Sequence, residues 1–337
     1  STPGQKQYPC GGAVGNMELE PYLKLGYVPI EYRFVSNTLE YAYDDWCVSQ
    51  MAASLGKSAA HDSFIKRAYN YRNLFDPETR FMRPRSEDGT FREEFDPLSS
   101  PRNEFVEGNS WQYTFFVPHD VKGLVELVGK EEFNLRLNDG FENSVEASFN
   151  ATGDRMAAYY INHGNQPNMQ AAYLFNYSGK PWLTQLWVRE IMSRYYGSTP
   201  LHGWLGDEDE GQMGAWYVMS AMGLFQTNGG ASERPFYEIG SQVFRKITIH
   251  LDPDYYPGKT FIIKAKHVSA GNKFIQSAML NGKNMVKPWF YHDELVKGGK
   301  LVLIMGNKPN KLWGSRPEDA PPSMSDDAHQ GLKDNFK

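Results

Sequence analysis

The chain has 337 residues, of which 40% are hydrophobic and 14% aromatic, and this length suffices for two domains or one large one. Its formal net charge is −5 at pH 7, with 35 Lys and Arg residues against 40 Asp and Glu residues. Because phosphate binding needs a basic surplus, the composition argues against a nucleic-acid partner. No run of about 20 apolar residues occurs, and we therefore expect no membrane span.

Helical spacing of apolar residues predicts a helix over residues 37–55, with Asn37 and Glu40 as a start signal and Gly56 as a stop. A second helical pattern covers residues 64–75. Similar patterns predict further helices over residues 111–127, 169–177, 181–195 and 212–225. The connectors between these helices are long, and long loops in a helical domain usually carry function or cover it.

After about residue 229 apolar residues recur at every second position, as in β-strands. Asn281 followed by Gly282 is a strong signal for a hairpin turn. We therefore expect a mostly α protein with a C-terminal β part made of antiparallel strands. The expected division is a helical domain over residues 1–229, a β-rich part over 230–314, and a polar, disordered tail over 315–337.

The segment GDEDEGQ (206–212) places four acids side by side, directly before the apolar segment MGAWYVM (213–219). Adjacent carboxylates repel, so this loop costs stability unless it is solvated, holds a cation or serves a reaction. For Glu208 and Glu210 we prefer a solvated loop that also favours the N-terminus of the following helix. For Asp207 and Asp209, alternation in a glycine-bounded turn allows both carboxylates to face one place, where a water is activated.

The segment FVEGNSWQY (105–113) places one acid, Glu107, where a loop meets an aromatic-rich helix. Two interpretations stay open. Glu107 either complements the dipole of that helix, or is a carboxylic acid whose pKa is raised by desolvation beside Trp111, so that it donates a proton.

The segment INHGNQP (161–167) combines amide and carbonyl oxygens with an imidazole in a non-helical turn. Gly164, Asn165 and Gln166 are chemically suitable ligands for a hard cation such as calcium. A turn held by asparagine side chains, with His163 as a hydrogen-bonded structural histidine, explains the segment equally well.

The sequence contains no Gly-x-Gly-x-x-Gly, Walker loop, Gly-x-Ser-x-Gly or His-Glu-x-x-His motif. Dinucleotide, nucleotide, serine-hydrolase and zinc-protease functions therefore lose most of their support. Separated carboxylates, abundant aromatic residues and long loops remain. Two carboxylates on opposite sides of a cleft are what glycoside hydrolysis requires.

Several segments, in order along nearly the whole chain, together resemble one family. They are TLEYAYDDWC (38–47), EGNSWQYTFFVPHD (107–120), HGNQP (163–167), TQLWVREI (184–191), GDEDEGQMGAWYVMSAMGLF (206–225), FYEIGSQVF (236–244) and LNGK (280–283). The family is glycoside hydrolase family 92, the exo-acting α-mannosidases. The resemblance implies a calcium-dependent, inverting enzyme with an N-terminal β-sandwich and a C-terminal (α/α)6-barrel, and we expect the sandwich to be missing here.

Carried over by motif, the resemblance gives Glu107 the role of general acid. Asp209 becomes the general base, with Asp207 as its partner or rival. Since inversion needs room for a water, the acid and base carboxyl groups are expected to stand about 6.5 to 9.5 Å apart.

The resemblance also places calcium at Gly164, Asn165 and Gln166, and makes His163, Gln112 and Trp111 sugar contacts. Gln166 departs from the family, which commonly has Glu at this position. The amide keeps an oxygen ligand but loses the negative charge, so calcium affinity is expected to fall.

The expected function is hydrolysis of terminal α-linked mannose from a mannose-containing oligosaccharide or N-glycan. Among the possible linkages, α-1,2 is the one expected first. The expected location is extracytoplasmic: periplasmic, cell-surface or secreted. Because the family's pocket lies between two domains, the missing N-terminal domain is expected to complete it. The alternatives are a catalytically incomplete fragment that only binds mannosides, and a structural α/α domain with inert loops.

Overall fold

A computed structural model describes residues 18–32, 34–100, 104–151 and 158–326. The chain forms two compact units. The first holds the described residues up to Val117, with Ala158, and the second holds the described residues of Pro118–Gly153 and Tyr159–Ala328.

The first unit is mainly helical. Its α-helices are α1 (Leu19–Leu25), α2 (Asn37–Ser54), α3 (Ser58–Arg67) and α4 (Ser110–Thr114). Short 3-10 helices occupy Ile30–Tyr32 and Asn70–Leu74. An antiparallel pair of strands follows, β1 (Phe75–Asp76) and β2 (Phe81–Met82).

Helix α2 confirms the helix predicted over residues 37–55. It buries Leu39, Ala42 and Trp46. On the same helix Asp45 accepts hydrogen bonds from Arg67 of α3 at 2.6 and 2.9 Å and from the Tyr22 hydroxyl at 3.0 Å. A buried carboxylate that is fully paired in this way fixes α1 and α3 against α2, because removing one partner leaves a buried charge.

The second unit contains longer helices and most of the strands. The helices are α5 (Val121–Val128), α6 (Lys130–Ser144), α7 (Pro181–Arg194), α8 (Gln212–Met222) and α9 (His292–Val296), with 3-10 helices at Gln166–Asn168 and Ala171–Asn176. The strands are β3 (Tyr196–Thr199), β4 (His202–Trp204), β5 (Leu224–Phe225), β6 (Phe236–Ile239), β7 (Lys246–His250), β8 (Thr260–Lys266), β9 (Phe274–Leu280), β10 (Lys283–Met285), β11 (Trp289–Tyr291) and β12 (Gly299–Gly306).

Five strands form the main sheet, in the order β10-β9-β12-β8-β7, and β11, β6 and β5 form a smaller one. Alternate residues of β8 and β12 are buried in one hydrophobic cluster, among them Phe261, Ile263, Leu301 and Leu303. The expectation of purely antiparallel strands is wrong for one pair, because β12 runs parallel to β8. The long connection between these strands permits the parallel arrangement, whereas a short hairpin does not.

Helix α7 confirms the prediction for residues 181–195. Helix α8 confirms the prediction for residues 212–225 as far as Met222, whereas Leu224–Phe225 form β5. Two other predicted helices are interrupted. The pattern over 64–75 ends as an α-helix at Arg67 and continues as a 3-10 helix, and the pattern over 111–127 breaks between α4 and α5. Pro118 lies in that break and cannot continue a helix, since it lacks the N–H donor. The segment predicted over 169–177 is a 3-10 helix.

The disordered tail predicted from residue 315 is wrong for residues 315–326, and residues 327–337 lie outside the described residues. Arg316 forms two hydrogen bonds with the buried Asp319, whose carbonyl oxygen accepts from the Trp289 indole N–H at 3.0 Å. Hydrogen bonds therefore hold this segment in a defined conformation, although its low apolar content predicts disorder. Among the helices of the described ranges, none is both long and apolar enough to cross a bilayer.

Candidate functional site

The acidic loop lies in the second unit, between Gly206 and Gly211, whose φ angles are +70° and +99°. Asp209 and Glu210 also have positive φ angles, +56° and +59°. Two consecutive non-glycine residues in the left-handed region cost of the order of 1–3 kcal/mol each, and such strain persists only where the surroundings impose it. The loop is therefore held in a costly conformation, which is typical of a functional segment.

Glu208 caps helix α8, which agrees with the prediction that it favours the N-terminus of this helix, although its side chain is half-buried rather than fully solvated. One of its carboxylate oxygens accepts from the backbone N–H of Gly211 and the other accepts from Gly214 at 3.2 Å. This satisfies donors at a helix N-terminus that has no other side-chain cap and places negative charge at its positive end. Glu210 is exposed, as expected for a solvated acid.

Asp207 is exposed and Asp209 is half-buried. Desolvation raises the pKa of Asp209, and the charges of Asp207, Glu208 and Glu210 raise it further. This carboxylate therefore holds a proton more tightly than an isolated aspartate. A cation beside the loop would reverse that effect by favouring the ionised form.

The turn that contains Gly164, Asn165 and Gln166 also lies in the second unit. Asn165 is buried and its side-chain oxygen accepts from the backbone N–H of Gln166 at 3.1 Å, which caps the 3-10 helix beginning at Gln166. Gln166 itself is exposed. The expectation of an asparagine-held turn is therefore confirmed.

His163 is fully buried in an aromatic cluster. Its Nε2 lies 2.9 Å from the Tyr196 hydroxyl, and its ring packs edge-to-face on Trp216 and Tyr195, with centroids 4.3 and 4.9 Å away. Burial lowers the pKa of His163 to about 3, so the ring is neutral at physiological pH. This position gives His163 a supporting role beneath the turn, and its contact with a sugar stays a prediction.

Tyr195 brings the two loops of the second unit together. A Cβ on Gly164 would lie 2.5 Å from the Tyr195 hydroxyl oxygen, and a Cβ on Gly206 would lie 3.2 Å from it. Burial raises the pKa of Tyr195, and the charges of Asp209 and Asp207 add to this effect. The turn at Gly164 and the acidic loop are therefore neighbours, although 42 residues separate the two glycines.

The oxygens around this position fit a hard cation. The carbonyl of Gly164 and the amides of Asn165 and Gln166 are the donor type that calcium takes, and the acidic loop beside them supplies negative charge. An amide oxygen has two lone pairs, so the oxygen of Asn165 that accepts from Gln166 retains one for a metal. Within the described ranges, no cluster of three His, Cys, Asp or Glu side chains is arranged to hold a metal.

Glu107 belongs to the first unit, in a loop that precedes α4. The backbone of this loop is fixed: the Val106 N–H donates to the Ser36 hydroxyl at 3.1 Å, and the Val106 carbonyl accepts from the Tyr113 hydroxyl at 2.9 Å. Glu107 has a positive φ angle of +49°. Its side chain is exposed, so the desolvated surroundings expected for it are not provided by the described residues.

Trp111 and Gln112 lie on α4, whose cap is Asn109. The Asn109 side chain accepts from the backbone N–H of Gln112 at 2.9 Å. Both predicted sugar contacts are almost fully buried, and Trp111 packs on Phe115 with ring centroids 5.0 Å apart. The Gln112 amide oxygen would lie 2.7 Å from a Cβ on Gly108. These side chains hold the loop that carries Glu107.

The structure thus brings six of the predicted site residues into the second unit: Asp207, Asp209, His163, Gly164, Asn165 and Gln166. The other three, Glu107, Trp111 and Gln112, lie in the first unit. The separation between the carboxyl groups of Glu107 and Asp209 stays a prediction. Sequence reasoning missed Tyr195, because two adjacent tyrosines after a helix carry no recognisable signal.

Glu40 is a second residue that sequence reasoning missed. It lies on α2 in the first unit, where burial, followed by the charge of Asp44, raises its pKa to about 7. Its charge also raises the pKa of Tyr113, after the larger effect of burial. A carboxyl group that titrates near neutral pH therefore lies close to the tyrosine that holds the Glu107 loop.

A family model described as the glycosyl hydrolase family 92 catalytic domain matches residues 2–307. The chain is 31% identical to an uncharacterized secreted glycosidase of Arthroderma benhamiae, over 93% of this chain and 40% of that protein.

Two solved structures from Bacteroides thetaiotaomicron are also similar. One is an inverting mannosidase of family GH92, 38% identical with a TM-score of 0.82, and the match covers 95% of this chain and 44% of that one. The other is a GH92 α-mannosidase in complex with mannoimidazole, 35% identical with a TM-score of 0.80, covering 92% of this chain and 41% of that one. The chain therefore spans less than half the length of these relatives.

Proposed function

The chain belongs to glycosyl hydrolase family 92, and we propose that it contributes the catalytic part of an exo-acting α-mannosidase that inverts configuration. This proposal rests on one observation: the turn at Gly164 and the start of the acidic loop at Gly206 both pack against the Tyr195 hydroxyl. It puts a candidate base beside a set of oxygens that suits calcium. The similarity to a mannosidase bound to mannoimidazole supports a mannose-containing glycan as the substrate.

In the proposed reaction Glu107 donates its proton to the glycosidic oxygen as the bond to the anomeric carbon breaks. Asp209 takes a proton from a water, whose oxygen attacks the anomeric carbon from the opposite face. The raised pKa of Asp209 suits a base, because a carboxylate that holds protons tightly removes them more readily from water. Asp207 is the alternative base, and its exposed side chain lies two residues away in the same loop.

Calcium, when bound at Gly164, Asn165 and Gln166, would supply a positive charge that engages sugar hydroxyls. The chain's own residues prepare this position. Asn165 fixes the turn through its cap, and neutral His163 supports it from beneath.

We also propose the finer features that the family resemblance implies. These are an (α/α)6 arrangement of the helices, a preference for α-1,2 linkages, an extracytoplasmic location and a pocket completed by a further domain. Because Glu107 is exposed, such a domain would supply the enclosure that a general acid needs.

A second candidate function is mannoside binding without hydrolysis. The exposure of Glu107 favours it, because the described residues do not enclose this side chain as a general acid requires.

The test compares the full-length protein with its Glu107→Gln variant on an α-1,2-linked mannobiose, with the anomer of released mannose followed by NMR. An enzyme of the proposed kind releases β-mannose first and loses most of its rate, about 10²–10⁴-fold, in the variant. Release of α-mannose, or an unchanged rate in the variant, would contradict the mechanism. Binding of the disaccharide without release of sugar would favour the second candidate.

A further inference from the structure

The first unit contains an open pocket that the proposed reaction does not use. Its volume is about 330 Å³, and its lining includes Arg92, Glu94, Phe95, Asp96, Glu104 and Phe105. Glu104 and Phe105 are buried and form its floor, whereas Glu94 and Asp96 are exposed at its rim. Sites for small molecules typically have volumes of about 300 to 1,000 Å³, so this pocket is large enough for a small ligand.

Hydrogen bonds hold the backbone around this pocket. The Arg83 side chain donates to the Arg92 carbonyl at 2.8 Å and forms an ion pair with Asp76 at 2.9 Å. On the other side, the backbone N–H of Trp111 on α4 donates to the Pro97 carbonyl at 2.9 Å. The pocket is therefore built into the fold of the first unit.

The pocket offers both hydrogen-bond donors and acceptors. The Arg92 guanidinium donates to the buried carboxylate of Glu104, and among the described residues its side chain has no other hydrogen-bond partner. Because a guanidinium has five N–H donors, several are left for a ligand. At the rim, Glu94 makes no side-chain hydrogen bond to a described residue, and Asp96 accepts from the backbone N–H of Leu98 at 3.0 Å.

These groups favour a neutral ligand that is rich in hydroxyl groups. Three carboxylates and one guanidinium give the lining a formal charge of −2, which disfavours an anion. A bound metal ion is also disfavoured, because no three acids of the described ranges are arranged to hold one. A sugar hydroxyl both donates and accepts, so neighbouring hydroxyls can pair with Arg92 and with the carboxylates at once. The half-buried ring of Phe95 adds an apolar surface for the C–H groups of a sugar ring.

The pocket lies close to Glu107. Phe105 lines the pocket and precedes Glu107 by two residues, so their Cα atoms are at most about 7 Å apart. Resting on the proposed function, we propose that this pocket binds the sugar that leaves when terminal mannose is released. A general acid protonates the oxygen that joins mannose to the leaving sugar, so this sugar lies on the side of Glu107. Arg92 donates to one of its hydroxyls, and Glu94 and Asp96 accept from others.

The test compares Glu94→Ala with Glu93→Ala in the full-length protein. Both are exposed acids at adjacent positions, but Glu94 lines the pocket and Glu93 does not. The substrates are α-1,2-linked mannobiose, which has a leaving sugar, and methyl α-mannoside, which has none. For Glu94→Ala we expect kcat/KM to fall about tenfold on mannobiose, because a hydrogen bond to a charged group is lost. The value on methyl α-mannoside should not change, and Glu93→Ala should change neither value.

A second variant, Ser99→Trp, blocks the pocket without removing a charged group. Ser99 is exposed and lines the pocket, so a large ring at this position occupies space that the sugar needs. We expect kcat/KM on mannobiose to fall at least as far as in Glu94→Ala, with Tm and the value on methyl α-mannoside unchanged.

Two results would overturn the inference while the proposed function stands. One is an unchanged kcat/KM on mannobiose in both pocket variants, and the other is an equal fall on both substrates. If the wild type hydrolyses neither substrate, the proposed function fails instead. Calorimetric titration with mannobiose then tests the pocket alone: weaker binding in Ser99→Trp than in wild type supports a sugar site, and equal binding rules it out.

Discussion

The carboxylate of Glu208 accepts a hydrogen bond from the backbone N–H of Gly214 at 3.2 Å, and through its second oxygen it also caps Gly211. In the sequence Glu208 is one of four adjacent acids that repel each other. In the structure its carboxylate is hydrogen-bonded to the N-terminus of α8. The bond joins the strained acidic loop to the rigid element that follows.

Replacing Glu208 with alanine is expected to lower the free energy of unfolding by about 1 kcal/mol, the typical cost of a lost helix cap. Glu210→Ala is the control, because it removes the same charge from an exposed side chain in the same loop. Urea denaturation measures both. If the two variants are equally stable, the cap contributes nothing beyond charge.

Asp207 and Asp209 can be separated by the pH dependence of the reaction. Since the charge of Asp207 raises the pKa of Asp209, Asp207→Asn should shift the acidic limb of the kcat/KM profile to lower pH while activity persists. Asp209→Asn should lower kcat by about 10²–10⁴-fold, as loss of a general base does. The opposite pattern would make Asp207 the base.

The substitution Gln166→Glu is expected to strengthen calcium binding by about tenfold, because it adds a negative charge beside a set of neutral oxygens. Gln166→Ala removes the oxygen and should weaken binding. Calorimetric titration with calcium chloride measures both variants without reference to activity. Equal affinities in wild type and both variants would remove Gln166 from the ligand set.

Glu238 is fully buried on β6, and desolvation raises its pKa from 4.5 to about 7 although Tyr177 and Thr227 donate hydrogen bonds to it. The native state therefore binds this proton more tightly than the unfolded chain. Stability should decrease as the pH rises from about 4.5 to 7, by on the order of 3 kcal/mol, and stay at the lower level above pH 7.

Glu238→Gln should remove this part of the pH dependence, so that the variant exceeds the wild type in stability above pH 7. Glu190→Gln is a control of opposite sign. Glu190 is partly desolvated, but hydrogen bonds from Lys273 and Arg194 lower its pKa, so its contribution is present above pH 4.5 and is lost as the pH falls. Unfolding by urea between pH 4 and 8 measures both. The prediction would be contradicted if the free energy of unfolding had the same pH dependence in Glu238→Gln and in the wild type.

The long periodic helices α2, α7 and α8 were predictable, since their buried faces repeat at helical spacing. Helix α6 was not predicted, because most of its residues are polar. Yet Phe133, Leu137 and Phe141 are fully buried and follow one another at intervals of four, a stripe that a narrower search would detect. The spacing of apolar residues therefore identifies helices with a broad apolar face. It misses a helix such as α6, whose apolar face is a single row of residues.

The site was predicted from motifs, and its residue types fit their proposed chemistry. The contact of Tyr195 with Gly164 and Gly206 was not predictable, because it depends on packing between segments far apart in the chain. The exposure of Glu107 and the burial of His163 were equally hidden. The sequence identifies the side chains that can react, whereas their contacts with distant segments are seen only in the three-dimensional structure.

The ends of the second unit are joined to each other. Asp120, which is fully buried, accepts hydrogen bonds from the Ser323 hydroxyl at 3.1 Å and from the backbone N–H of Ser325 at 3.0 Å, across more than 200 residues. During synthesis Asp120 therefore emerges long before these partners. The second unit cannot complete its native structure until the ribosome has released Ser325, and a chain cleaved shortly before that residue would leave a buried carboxylate short of donors.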